Sequence, residues 1–210
     1  MPDKSSKIAK NKEISNIKLP SPVNYDDVMY YLNNGPSIMT LEHGKHINSQ
    51  TGNPVLSARS IEQTKEKIQR FSHQQKTFRH LANLSLIDPQ KAVKQYCNTV
   101  ATPFFEGSLL AYQQGDYDLA EEWWLSVLDL QPFEVSQKLA TLYRKQHRYK
   151  DMSDMYAKAI NVVEKSPVKL NQEKHDKMMS SFMSASEKAV GQSMKDKSKG
   201  IKPYEIRADT

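Results

Sequence analysis

The chain has 210 residues, of which 38% are hydrophobic, and a net charge of +6. That apolar content lies below the usual 45–50% or so of a globular domain, which points to a thin elongated core and excludes a large globule. No apolar run reaches the ~18 residues of a membrane span, the lysine-rich start lacks the apolar stretch of a secretory signal, and the single Cys97 excludes an internal disulfide framework.

The charge is uneven. Residues 1–20 set five lysines against Asp3 and Glu13, and residues 191–210 set four lysines and Arg207 against Asp196, Glu205 and Asp209. Both ends are expected to be disordered basic tails, because their apolar residues are scattered. Basic tails can touch nucleic acid or an anionic surface. Few aromatic residues interleave with these lysines, so solvated ends are the plainer expectation.

Residues 21–56 read as a short helix and loop region. Ser21-Pro22 opens a helix through Val28, Tyr31 and Leu32, and Asn33-Asn34-Gly35-Pro36 ends it. The run Ser49-Gln50-Thr51-Gly52-Asn53-Pro54 is turn chemistry between Ile47 and Val55-Leu56. Ser60 with Gln63 forms a capping box for a long helix. Its stripe runs Ile61, Ile68, Phe71, Phe78, Leu81 and Leu84, and its length would be roughly 40 Å. Such a helix either runs beside the rest of the domain or pairs with a second copy as a homodimer.

Asp88-Pro89 opens a further helix, with Ala92, Val93, Tyr96 and Cys97 inward, expected to end over Asn98–Thr102. Together with the end of the long helix it reads as a degenerate upstream hairpin. Thr102-Pro103 then starts a new helix carrying Phe105, Leu109 and Tyr112. Gly115 can end it in the left-handed conformation. Asp116 caps the next helix, which holds Ala120, Trp124, Val127 and Leu128 and stops at Pro132. A turn this short makes the two helices antiparallel. Of Trp123 and Trp124, one is expected in the core and the other partly exposed or on the next hairpin, since adjacent helical positions diverge by about 100°.

A second set of positions follows. Leu139, Ala140, Tyr143, Tyr149, Met152, Tyr156 and Ala159 mirror the first, with Tyr117 and Tyr149 standing 32 positions apart. Gly115-Asp116-Tyr117, the small Ala120, the bulky Trp124 and Pro132 resemble the tetratricopeptide repeat, whose period is about 34 residues. The resemblance covers 104–132 and 136–164. In the second copy His147-Arg148 replaces Gly-Asp, and Met152 replaces the small crossing residue. Ser166-Pro167 begins a terminal helix through Leu170, His175, Met178, Met179, Phe182 and Ala189, bounded by Gly191. It is expected to cap the array.

The resemblance implies an all-α fold of antiparallel hairpins stacked as a short solenoid over 57–190. It also implies a concave face lined by the first helix of each hairpin. Its partner-binding residues would be Phe105, Leu109, Tyr112 and Gln113 from one copy, and Glu134, Gln137, Thr141, Arg144 and Lys145 from the next. Leu109, Gln113 and Thr141 do not fit the family's carboxylate clamp. A mixed apolar and cationic groove suits an extended or helical peptide with apolar anchors and some acid, unless the long helix itself fills it.

No phosphate loop, paired-cysteine motif or nucleophile elbow occurs. Glu42, His43 and His46 are too few for a zinc site and read as a loop. His73 and His80 read as surface residues, and the methionines at 152, 155, 178, 179 and 183 as adaptable packing. The expected function is therefore a cytoplasmic, non-catalytic adaptor or chaperone without cofactor or metal, including an accessory subunit or chaperone of a bacterial secretion system. The alternative is a nucleic-acid-associated factor acting through its tails.

Overall fold

The computed structural model describes residues 25–34, 39–42, 45–72, 89–166 and 170–198. The fold is mostly helical. Among the described residues there are seven helices and one two-stranded antiparallel hairpin. The chain divides into two compact units, residues 1–131 and 132–210. The division falls inside the 57–190 segment that the sequence groups as one domain. Among the described residues no helix is long and apolar enough to cross a membrane.

The first unit holds α1 (Tyr25–Asn34), β1 (Met39–Glu42), β2 (Lys45–Asn48), α2 (Ala58–Ser72), α3 (Pro89–Gln113) and α4 (Tyr117–Ser126). The strands pair Met39 with Asn48 and Glu42 with Lys45, and Ile47 bridges Pro54 beyond them. The expected short helix is formed over Tyr25–Asn34, and the segment read as loop contains the two paired strands. Glu42 and His46 sit in the two strands, and His43 lies outside the described residues.

Helix α2 starts earlier than the capping box implies. The Ser60 N–H points back to Ser57, reaching its carbonyl at 2.9 Å and its hydroxyl at 3.4 Å. Ser60 instead lies in the first turn, where its carbonyl accepts from Thr64 Oγ1. Ile68 of the predicted stripe is fully buried. The expected continuation through Phe78, Leu81 and Leu84, together with His73 and His80, lies outside the described residues.

Helix α3 corrects a second expectation. It runs unbroken from Pro89 through Pro103 to Gln113, so the separate helix ending over 98–102 is not formed; the first half of the expected upstream hairpin and its turn lie outside the described residues. An internal proline forfeits one helical hydrogen bond and costs about 3 kcal/mol. That cost is carried by packing: α1, α2 and α4 all lie against α3, and Ala101, Phe104, Leu110 and Ala111 are buried along it.

Gly107 marks a close approach on α3. A Cβ there would stand 2.8 Å from Val28 Cγ1 and 3.2 Å from the Trp123 ring. Tyr31 meets Trp123 edge-on, with centroids 5.6 Å apart. Both tryptophans are therefore buried, Trp123 beneath α1 and Trp124 beside Tyr112. Of the two expectations for the second tryptophan, partial exposure is not met, because Tyr31 of α1 lies against Trp123.

Helix α4 ends at Ser126, short of Pro132, and the 127–131 segment turns on bonds from Leu130 and Gln131 N–H to the Val127 carbonyl. Pro132 does not stop α4; it is the first residue of the next helix, where a missing N–H costs nothing.

The second unit holds α5 (Pro132–Lys145), α6 (Tyr149–Lys165) and α7 (Gln172–Ser198). Helix α6 packs on both α5 and α7. Its core joins Val135, Leu139, Leu142 and Tyr143 of α5 to Met152, Met155, Tyr156, Ala159 and Ile160 of α6. From α7 it receives Met178 and Ala185. Ser153 and Ser186 share a hydroxyl bond of 2.8 Å between α6 and α7.

Ser166 proves to be the C-cap of α6. The cap of α7 is Asn171, whose Oδ1 accepts the Lys174 N–H at 3.1 Å. Helix α7 also passes through Gly191, where an added Cβ would meet nothing within 4 Å. A solvent-facing glycine costs only about 1 kcal/mol, too little to end a helix.

Candidate functional site

The two hairpin turns are the first feature to compare. In the first unit α3 ends in a left-handed Gly115, with φ of 80°. Asp116 N–H reaches back to the Ala111 carbonyl at 2.9 Å, and Gln114 N–H to that of Leu110 at 3.0 Å. In the second unit His147 takes the same conformation, with φ of 57°. Arg148 N–H bonds the Tyr143 carbonyl at 2.8 Å, and Gln146 N–H that of Leu142 at 3.1 Å. Each bond recurs at an offset of 32 positions. The long back-bond across a left-handed residue closes a helix C-terminus in both hairpins.

Burial follows the same register. Leu110 and Leu142, Ala111 and Tyr143, Ala120 and Met152, Trp124 and Tyr156, and Leu128 and Ile160 are buried pair by pair.

The expected binding residues of the first unit are largely occupied. Gln113 is only 7% exposed, and its carbonyl accepts the Leu56 N–H at 2.7 Å. Tyr112 stacks on Tyr117, 5.1 Å between centroids, and leans on Trp124. Phe105 and Leu109 are half-buried. Lys67 of α2 reaches Glu106 at 3.5 Å on the neighbouring face of α3. Helices α1 and α2 pack against α3 in this unit, and the 48–56 segment bonds its end.

The 48–56 turn does more than cover. Asn48 Nδ2 donates to the Gln114 carbonyl at 2.9 Å. Thr51 Oγ1 and Asn53 Nδ2 donate to the Gly115 carbonyl at 2.8 and 2.9 Å. The carbonyls a helix end leaves without partners are thus met by a turn from far along the chain. Asn48 is almost fully buried, and its Oδ1 accepts the Gln50 and Thr51 N–H groups, which fixes the turn.

The acid at this turn is perturbed. Burial raises the Asp116 carboxyl above its ordinary range; the Leu119 N–H pulls it down and the neighbouring Asp118 charge adds to the rise. Burial, with a contribution from the Asp116 charge, also pushes the Tyr31 hydroxyl upward.

The second unit presents an open cleft of about 260 Å³. Arg144 enters from α5, Met152 and Tyr156 form part of its wall from α6, and Ser180, Ser181, Ser184 and Lys188 line it from α7. Of the expected residues, Arg144 therefore reaches this cleft. Gln137 stands nearby in the structure, its Nε2 donating to the Tyr156 hydroxyl at 3.3 Å. Thr141 is exposed and bonds its own helix, Oγ1 to the Gln137 carbonyl at 2.9 Å. Glu134 is paired with Lys174 at 2.7 Å, and Lys174 also sits over the Phe133 ring. Lys145 is exposed.

Sequence reasoning missed the contribution of α7. The signal is serines at positions 180, 181 and 184 with Lys188 one turn on, which the apolar spacing of the helix does not register. Among the described residues no group of three or more His, Cys, Asp or Glu is placed to hold a metal ion. Compared with known proteins, the chain matches no family model, no curated protein and no solved structure.

Proposed function

We propose that this chain is a non-catalytic protein-interaction module, an adaptor or chaperone that holds a peptide or helix of a partner on tetratricopeptide-like hairpins. The observation that carries the reading is the recurrence of one helix-closing turn, with the same backbone bonds, at Gly115 and His147. Reuse of one hairpin is the mark of repeat proteins, which bind along the surface their repeats create. Exposed Thr141 and Arg144 give the α5 surface polar and cationic groups for recognition. The competing reading, nucleic-acid contact through the lysine-rich ends, rests on composition alone.

Site-specific photo-crosslinking in the native cell tests this. A photoreactive residue in place of Thr141 is expected to trap a discrete protein partner, and the same residue in place of exposed Glu164 on α6 is not. Equal trapping from both positions, or none from Thr141, would overturn the reading.

A further inference from the structure

We propose that the cleft between α5, α6 and α7 receives an anionic side chain, carboxylate or phosphate, from the partner's bound segment. This rests on the protein-binding reading and assigns its chemistry.

Two cations, Arg144 and Lys188, face the cleft from different helices, and among the described residues no carboxylate lines it. Two acids of the same unit, neither lining the cleft, are paired with other cations: Glu134 with Lys174, and Asp151 with Arg148, both at 2.7 Å. Lys188 is carried beside Tyr149, its Nζ 5.6 Å from the ring centroid, which biases where its stem can lie. The three serines supply hydroxyls, which serve a carboxylate or phosphate as hydrogen-bond donors. A planar guanidinium matches either anion with two parallel bonds.

Size and floor narrow the ligand further. A cleft of about 260 Å³ falls below the roughly 300–1,000 Å³ of drug-sized ligand sites. It suits one side chain of a larger partner better than a whole cofactor. Met152 and Tyr156 are nearly fully buried themselves, so they give the cleft a fixed piece of apolar wall for the stem of a Glu or phosphoserine. The lining thus combines the apolar Met152 and Tyr156 with the positive charge of Arg144 and Lys188.

The test uses the full chain and fluorescence anisotropy with three short labelled peptides. All share one leucine-containing sequence and differ at one position, which is Glu, phosphoserine or Gln. At least one anionic peptide is expected to bind about tenfold more tightly than the Gln peptide, the scale of one charge-assisted hydrogen bond. Arg144→Gln and Lys188→Gln should each remove most of that preference. Both residues are exposed, so circular dichroism should show unchanged helicity. The stronger of the Glu and phosphoserine peptides identifies the anion. Equal binding of all three peptides, binding of none, or retention of the preference in both variants would overturn the proposal. If both variants still give wild-type adducts from the Thr141 photo-crosslinker, the protein-binding reading stands and only the anionic preference falls. Loss of all adducts from the unsubstituted chain would remove the underlying reading itself.

Discussion

Gly115 and His147 occupy the same place in successive hairpins, each holding a positive φ so that the residue after it can bond back into the preceding helix. The two pay differently for it. Glycine enters this region freely, whereas a residue with a Cβ incurs roughly 1–2 kcal/mol. His147→Gly is therefore expected to stabilise the protein by up to about 1 kcal/mol. Gly115→Ala should destabilise it by about 1–3 kcal/mol, because strain is joined by a Cβ only 2.9 Å from the Asn53 carbonyl oxygen. Urea unfolding of the two variants checks the opposite signs.

Asn48 is the hub of the turn that seals α3. Asn48→Ala removes its bond to the Gln114 carbonyl and the two that its Oδ1 accepts. A loss of about 2–3 kcal/mol is expected, since buried groups are left without partners. Asn53→Ala removes the side-chain bond to the Gly115 carbonyl and should cost about 1 kcal/mol. Hydrogen exchange should report the difference at the Leu56 amide, which is bonded to the Gln113 carbonyl. It should exchange much faster in the Asn48 variant, and little changed protection there would contradict the sealing role.

The seat of α1 on α3 and α4 is tight enough to be broken from either side. Trp123→Ala should cost about 3–5 kcal/mol by leaving a cavity under Tyr31. Gly107→Ala should also destabilise, by about 1–3 kcal/mol, because its new methyl meets Val28 Cγ1 at 2.8 Å. An exposed glycine-to-alanine change inside a helix would do the reverse. Gly191→Ala on α7 provides that contrast, with an expected gain of up to about 1 kcal/mol. Denaturant midpoints of the three variants give the comparison.

Asp116 makes a prediction in pH. Its carboxyl holds a proton more tightly in the folded chain than in the unfolded one. Its contribution to stability therefore falls as pH rises from the ordinary carboxylate range through the raised value. Asp116→Asn keeps an acceptor for the Leu119 N–H and removes the charge. The variant should melt above the wild type at neutral pH, and the gap should close on acidification below pH ~4. A variant less stable than wild type at neutral pH would contradict burial as the dominant influence.

Local chemistry was legible in the sequence wherever a single residue decides the backbone. Gly115, the Ser49–Pro54 turn and the apolar register of Trp124 and Tyr156 all fall where spacing places them. Contacts between distant segments were not legible. Nothing near Pro103 announces that α3 continues through it, because the compensation comes from α1, α2 and α4. The burial of both tryptophans is not legible locally, because the cover of Trp123, Tyr31, lies some ninety positions earlier. His147 carried no glycine signal, yet it adopts the glycine conformation because the hairpin around it requires it. Of the expected binding residues, Arg144 lines the cleft, while Gln113 and Glu134 are engaged within their own units. Lys188 and the serines of α7 were missed since the helix was read only for its apolar side.

The repeat itself is most directly tested by NMR on the full chain, using scalar couplings through hydrogen bonds. The account predicts a coupling from the Asp116 amide to the Ala111 carbonyl and an equivalent one from the Arg148 amide to the Tyr143 carbonyl, with left-handed shifts at both Gly115 and His147. Finding the first coupling without the second, or an ordinary helical conformation at His147, would mean that the two hairpins are not copies of one design, and the protein-binding reading would lose its support.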